Sequence, residues 1–143
     1  MTPTSASISP RTRSLLNWAA LFSIITSIIH GAAFQEHLTE WWGYAMFFVT
    51  AMIVQGIYGL ILFLRPWKTV QDVKWMYLSG IVGNAAIILL YLITRTVGIP
   101  FLGPEAGQVE DFTAISLLAK ISEVIVIGLL AVLLRNPSES VSG

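Results

Sequence analysis

Four separate runs of about 20 predominantly apolar residues leave this chain few folds to choose from. They extend from about Ser14 to Phe34, from about Trp41 to Leu64, from about Trp75 to Val97 and from about Phe112 to Leu134, and none contains a proline. At a rise of about 1.5 Å per residue, each is long enough to cross a hydrocarbon core of about 30 Å. No water is available there, so the backbone must bond to itself within the segment, which a helix does and an irregular chain does not. A membrane β-barrel would show segments of about 10 residues with alternating polarity, and these runs do not alternate. The expected fold is therefore all-α: a four-helix transmembrane bundle with short connections and an irregular loop between the third and fourth helices.

Composition agrees with a lipid-facing surface. Of the 143 residues, 55% are hydrophobic and 11% charged, against about 25% charged in a soluble domain. Basic and acidic residues number 8 each, so the chain carries no basic footprint for nucleic acid. The absence of cysteine excludes disulfides, thiolate metal sites and iron–sulfur clusters. Residues 14–135 form the expected membrane domain. The Ser/Thr/Pro-rich ends, 1–13 and 136–143, are expected to be disordered.

Punctuation marks the ends of the spans. Arg65-Pro66-Trp67 follows the second run and Arg135-Asn136-Pro137 the fourth, and proline cannot continue a helix without losing a hydrogen bond. Trp41, Trp42, Trp67, Trp75 and Tyr77 fall near predicted boundaries, where amphipathic rings favour the headgroup layer. Trp18 lies a turn inside the first span. The basic residues Arg11, Arg13, Arg65, Lys68, Lys74 and Arg135 occupy one side of the expected topology. The connections on the other side hold Glu36, Glu40, Glu105, Glu110 and Asp111 and no Lys or Arg. The positive-inside rule then puts both termini in the cytoplasm and the chain in the cell membrane. Arg11 and Arg13 ahead of an apolar run, with Gly31-Ala32-Ala33 after it, also fit a secretory signal. That run exceeds the usual signal core of about 7–15 residues, so the first span is read as retained.

Polar residues inside the spans fall on helical stripes: Ser23, Ser27 and His30; Tyr44, Gln55 and Tyr58; Gly80, Asn84, Tyr91 and Arg95; Ser116, Lys120 and Glu123. Residues at such offsets share a helix face, and in lipid a polar face turns toward other helices. Gly80 and Gly83 are expected to let backbones approach closely. Lys120 is expected about 12 Å and Glu123 about 16 Å from the outer end of the fourth helix. A charge at mid-membrane costs at least about 2.5–3.5 kcal/mol, so Glu123 must be protonated, paired with Lys120, or opposite water, Arg95 or His30. An intramembrane ionisable residue is also a functional candidate by default. The expected pocket or ion-pair set is Arg95, Lys120, Glu123, Asn84, Gln55 and Glu105.

On the outer rim, His30 and His37 lie seven residues apart, with Glu36 and Glu40 beside the second. On a continuous helix the two imidazoles would share a face about 10 Å apart, too far for one ion to bridge. His30, His37, Glu36 and Glu40 are the candidate metal or cofactor ligands, for copper, zinc or iron or for a haem held by one histidine. The third connection, Gly98 to Asp111, contains two prolines and three glycines, which prevent regular structure. It is expected to fold as a lid over the outer mouth, with Glu105 near Arg95.

His37-Leu-Thr-Glu-Trp-Trp-Gly-Tyr44, Gln55-Gly-Ile-Tyr58-Gly59, Thr94-Arg-Thr-Val-Gly-Ile-Pro100 and Gly103-Pro-Glu-Ala-Gly107 resemble stretches of a group of small uncharacterised bacterial and archaeal four-span membrane proteins. The resemblance covers the last three helices and both outer loops. It implies the four-span topology and transfers no activity.

Two function classes follow. The first is a non-enzymatic membrane module whose outward-facing pocket binds a metal, haem or small polar ligand, or an accessory subunit of a larger redox or transport complex. The second is a proton- or ion-coupled transporter working as a homo-oligomer with Glu123 as carrier. A membrane enzyme finds no recognisable nucleophile–base or metal-catalytic motif to support it. Because the chain has no native cysteine, its topology is directly testable. A membrane-impermeant maleimide applied to intact cells should label Ala106→Cys and spare Thr2→Cys; the opposite pattern would reverse the orientation.

Overall fold

The structure, a computed structural model, describes residues 8–98, 103–104, 106–109 and 111–141, apart from the side chain of Glu36. The described chain is all-helical. Its four long helices are α1 (Pro10–His37), α2 (Trp42–Leu64), α3 (Val70–Thr96) and α4 (Ala114–Leu134), and each is long and apolar enough to cross a membrane. The molecule has the build of a multi-pass integral membrane protein.

Helix ends follow local chemistry more than hydrophobicity. Ser9 accepts a hydrogen bond from the Thr12 amide and Pro10 occupies the first turn, so α1 starts four residues ahead of the apolar run. Thr69 and Asp72 form a capping box that starts α3 at Val70, five residues before the expected Trp75. Thr113 and Ser116 do the same for α4. Polar turns thus extend α1 and α3 beyond the apolar centres visible to a hydropathy argument, whereas the Thr113 cap starts α4 two residues after the expected Phe112.

In cross-section the helices run in the order α2, α1, α4, α3. The α1 backbone lies against α2 and α4, and α4 lies against α3. The α2 and α3 backbones do not pack in this way. Side chains link them instead: the Tyr58 hydroxyl donates to the Met76 carbonyl at 2.9 Å, and the Gln55 amide reaches Asn84 at 3.4 Å. Tyr58 lies so close over Gly80 that an added Cβ there would stand 2.0 Å from its hydroxyl and 2.7 Å from Leu130 Cδ1. Gly83, expected to play the same part, faces open space.

One end of the bundle is closed by apolar packing. Leu16, Leu62, Val73, Tyr77, Val126 and Leu130 are fully buried there. Residues after Arg135, expected to be disordered, instead form a short 3-10 helix, Pro137–Ser140, docked under this core. The Trp67 indole donates to the Ser140 carbonyl and the Tyr77 hydroxyl to the Ser140 hydroxyl, each at 2.7 Å. Thr12 donates to Glu139 at 3.1 Å. Trp67 and Tyr77 are therefore interior residues, not members of an interfacial belt, because the tail gives each polar tip a protein partner. Trp42 and Trp75 keep the interfacial position, 70% and 65% exposed.

The glycines supply a paired test of this packing. Gly80→Ala should lower stability by about 1–3 kcal/mol through overpacking, while Gly83→Ala should be neutral or slightly stabilising. Thermal unfolding of the two variants in one detergent separates them; equal melting temperatures would contradict the close packing of Tyr58 and Leu130 on Gly80.

Candidate functional site

At mid-depth the polar stripes of α1, α2 and α4 meet on one carboxylate, and that of α3 joins through Gln55. Glu123 is 0% exposed and lies within one residue of the middle of α4. Its Oε2 accepts from Lys120 Nζ, one helix turn away, at 2.6 Å. Its Oε1 is 3.1 Å from His30 Nε2 of α1 and accepts from Gln55 Nε2 of α2 at 3.3 Å. Gln55 also donates to Asn84 Oδ1, and Asn84 Nδ2 donates back to the Gly80 carbonyl at 2.8 Å. In a medium of low dielectric, an acid is tolerable only when its charge is balanced and its lone pairs are filled. Here Lys120 supplies the balance, and three helices supply the donors.

The α1 serines anchor the cluster from behind. Ser23 Oγ donates to the Gln55 carbonyl at 2.8 Å, and Ser27 Oγ donates to the Met52 carbonyl at 2.7 Å. These bonds set α1 and α2 in register, so His30 and Gln55 arrive at the same oxygen. Small-residue contact with an adjacent backbone is the usual means of helix association in lipid.

Above the cluster, toward the end where α1 and α3 finish and α2 and α4 begin, lies a cavity of about 780 Å³. That volume falls in the range of small-molecule sites, about 300–1,000 Å³. His30, Ala119 and Lys120 belong to its deeper lining. Its walls are mainly aromatic and aliphatic, including Trp41, Tyr44, Phe47, Phe48, Ile87, Leu90 and Tyr91. His37 stacks on Phe48 at 4.6 Å with the planes 5° apart and bonds to Glu40. Trp41 meets Tyr44 edge-on at 5.0 Å. Arg95 stands 4.9 Å and Lys120 5.3 Å from the centre of the Tyr91 ring, and Arg95 Nη1 also donates to Thr94 at 3.1 Å.

Of the third connection, residues 98, 103–104, 106–109 and 111 are described. Gln108, Val109 and Asp111 line the cavity. Gly103, at φ +81°, lies where a Cβ would come within 2.6 Å of the Tyr44 hydroxyl. The loop reading for Glu105, and the ligand reading for the Glu36 side chain, fall outside the described residues.

Among the residues expected to form a pocket or ion pair, Lys120, Glu123, Gln55 and Asn84 thus make one cluster, and Arg95 lies above it on the cavity wall. The candidate metal ligands do not converge. His30 turns inward to Glu123, while His37 and Glu40 bond to each other on the rim. Among the described residues, no three His, Asp or Glu side chains could hold one metal ion. Phe48 is a functional-site residue with only a faint signal in the sequence: it lies four residues after Tyr44 and so shares its α2 face. Nothing in the sequence alone distinguishes that phenylalanine from those facing lipid.

No protein-family model matches the chain, and no curated protein or solved structure is significantly similar to it.

The cluster predicts a strongly non-additive cycle. Glu123→Leu alone leaves Lys120 buried without its counter-charge and should cost about 3–5 kcal/mol. Lys120→Met with Glu123→Leu should recover most of that loss, as replacement of a whole buried pair often does. Denaturation of the single and double variants in detergent measures the coupling; additive losses would show that the pair contributes nothing as a unit.

Proposed function

We propose that this membrane protein is a non-enzymatic binding module that receives a small organic ligand in the cavity above the Glu123 cluster. The observation that carries this reading is the cavity's one-sidedness. Its depth ends on a hydrogen-bonded floor, and the opposite end of the bundle is filled by buried apolar side chains and the docked tail. A blind cavity loads and releases from the same side, which suits capture or presentation better than passage.

Among the ligands that the residue types allow, an organic molecule fits this cavity better than a metal ion. The His30 Nε2 atom is committed to Glu123, and His37 to Glu40 and Phe48. Six of the 8 basic residues lie in or beside the segments at the far end of the bundle, and the other two, Arg95 and Lys120, line the cavity. The positive-inside rule therefore turns the cavity outward and both termini to the cytoplasm of a cell membrane.

One observation favours the second reading, proton-coupled transport. Glu123 lies at mid-membrane between two titratable partners, His30 and Lys120, the arrangement of a proton relay. Passage would require the packed half to open or a homo-oligomer to supply the rest of the path.

Two measurements separate the readings. Organic extracts of detergent-purified protein should contain one small molecule in stoichiometric amount, lost when Ala33→Trp fills the cavity of an otherwise monodisperse protein. An empty wild-type protein whose proton flux in proteoliposomes vanishes in Glu123→Gln would favour the carrier instead.

A further inference from the structure

We infer that the end of the bundle opposite the cavity holds an anionic phospholipid, with its phosphate between Arg13 and Arg65 in the seam of α1 and α2. The site lies outside the cavity and stands whatever the cavity binds.

Arg65 holds a backbone position that rarely carries a side chain. It caps α2 at φ +55° and ψ +56°, the one positive φ among the described residues other than glycine. Glycine usually fills such a left-handed turn, because a Cβ crowds the following carbonyl there. A guanidinium has five N–H donors, and Arg65 gives one of them, from Nη2 to Asn17 Oδ1 of α1. Arg13 lies four residues before Asn17 and shares its helix face. Burial first, and the nearby Arg13 charge second, pull the Arg65 pKa below its usual value, while Tyr77 acts the other way. Among the described residues, neither guanidinium forms an ion pair. This end holds six basic residues but only two acids, Asp72 and Glu139. Asp72 caps α3, and Glu139 accepts from Thr12. An anion set between Arg13 and Arg65 relieves their repulsion, and phosphate oxygens match the arginine fork.

Depth and surroundings point to a lipid over a free phosphate. The Asn17–Arg65 bond ties Asn17 to the residue just past α2, so the hydrocarbon edge runs at that level on both helices. Trp18, which hydropathy puts a turn inside the first span, is exposed and then stands in the headgroup layer that indole favours. Deeper in the bilayer, the exposed stripe begun by Arg13 and Asn17 continues through Leu21, Ile24 and Ile28. A Cβ on Gly59 of α2 would lie 2.9 Å from Ile24 Cγ1, so this stripe runs along the α2 backbone. The seam is thus cationic at the bilayer edge and apolar beneath it. One lipid uses both parts, with its phosphate on the arginines and an acyl chain along Leu21 and Ile24. A soluble phosphate uses only the first. Basic groups at the end of a membrane helix attract the anionic lipids of that leaflet.

The test titrates the delipidated full chain, in neutral detergent, with dioleoyl phosphatidylglycerol or dioleoyl phosphatidylcholine and counts bound lipid by native mass spectrometry. The anionic lipid should saturate one site, about thirtyfold tighter than the zwitterionic one, since each arginine near a membrane surface contributes about fivefold. Arg13→Gln should weaken that binding about fivefold. Arg65→Gly should weaken it at least as much while the protein stays folded, because glycine suits the left-handed turn. Arg135→Gln removes the same charge from the end of α4, outside the seam, and should leave the preference unchanged. Equal affinity for the two lipids would overturn the proposal. So would an Arg135→Gln loss as large as that of Arg13→Gln, which would mark diffuse attraction without a site. Competition by glycerol 3-phosphate equal to that by the intact anionic lipid would overturn the lipid in favour of a soluble phosphate.

Discussion

A carboxylate at the centre of a bilayer cannot be left to itself, and the rest of this bundle is arranged around that constraint. Charge at mid-membrane is unfavourable by several kcal/mol unless it is neutralised and bonded. Glu123 is neutralised from its own helix by Lys120, one turn toward the cavity. The remaining oxygen draws His30 from α1 and Gln55 from α2, and Gln55 carries the connection on to Asn84 of α3. In lipid, apolar contact does little to choose between helix pairings, because acyl chains are as apolar as leucine. A directional cluster shared by all four helices does choose. The depth of α1 and α2 follows from reaching the same Glu123 oxygen, and α3 is tied to it through Gln55.

The two ends of the molecule are treated differently. At one end, buried leucines and valines are backed by a tail that Trp67 and Tyr77 hold through Ser140. At the other, large rings line a space instead of filling it, and the third connection lies across part of its rim. Packed and hollow halves meet at the Glu123 layer. The cluster thus serves two purposes at once: it ties the helices together, and it gives the cavity a hydrogen-bonded floor.

Much of this was legible in the residues. Four uninterrupted apolar runs imply four helices, since an unbonded backbone is intolerable in hydrocarbon. The stripes ending in His30, Gln55, Asn84 and Glu123 imply inward polar faces, because residues three and four apart share a side of a helix. Lys120 and Glu123, three apart, are close enough to pair before any neighbour is known. The helix ends were less legible. Hydropathy sees only the apolar centres, whereas Ser9 and Thr69 cap polar turns outside them and Thr113 starts α4 just inside the fourth run. The docked tail was not legible at all, because nothing in Pro137–Ser140 is apolar enough to announce burial.

Fold class and the presence of a buried acid–base layer therefore belong to the sequence alone, for they depend on distances within one helix and on the solvent that surrounds it. Which helices adjoin, and so which partner reaches which oxygen, was decided only in three dimensions. His30 and Glu123 are far apart along the chain and meet because α1 packs against α4 as well as α2, while Ser23 and Ser27 fix α1 on the α2 backbone. His30 is drawn to Glu123 and His37 to Glu40, so the two histidines do not share a ligand, and the α2 and α3 backbones do not pack together. A cavity is a property of the space between helices, and no one-dimensional pattern encodes a gap.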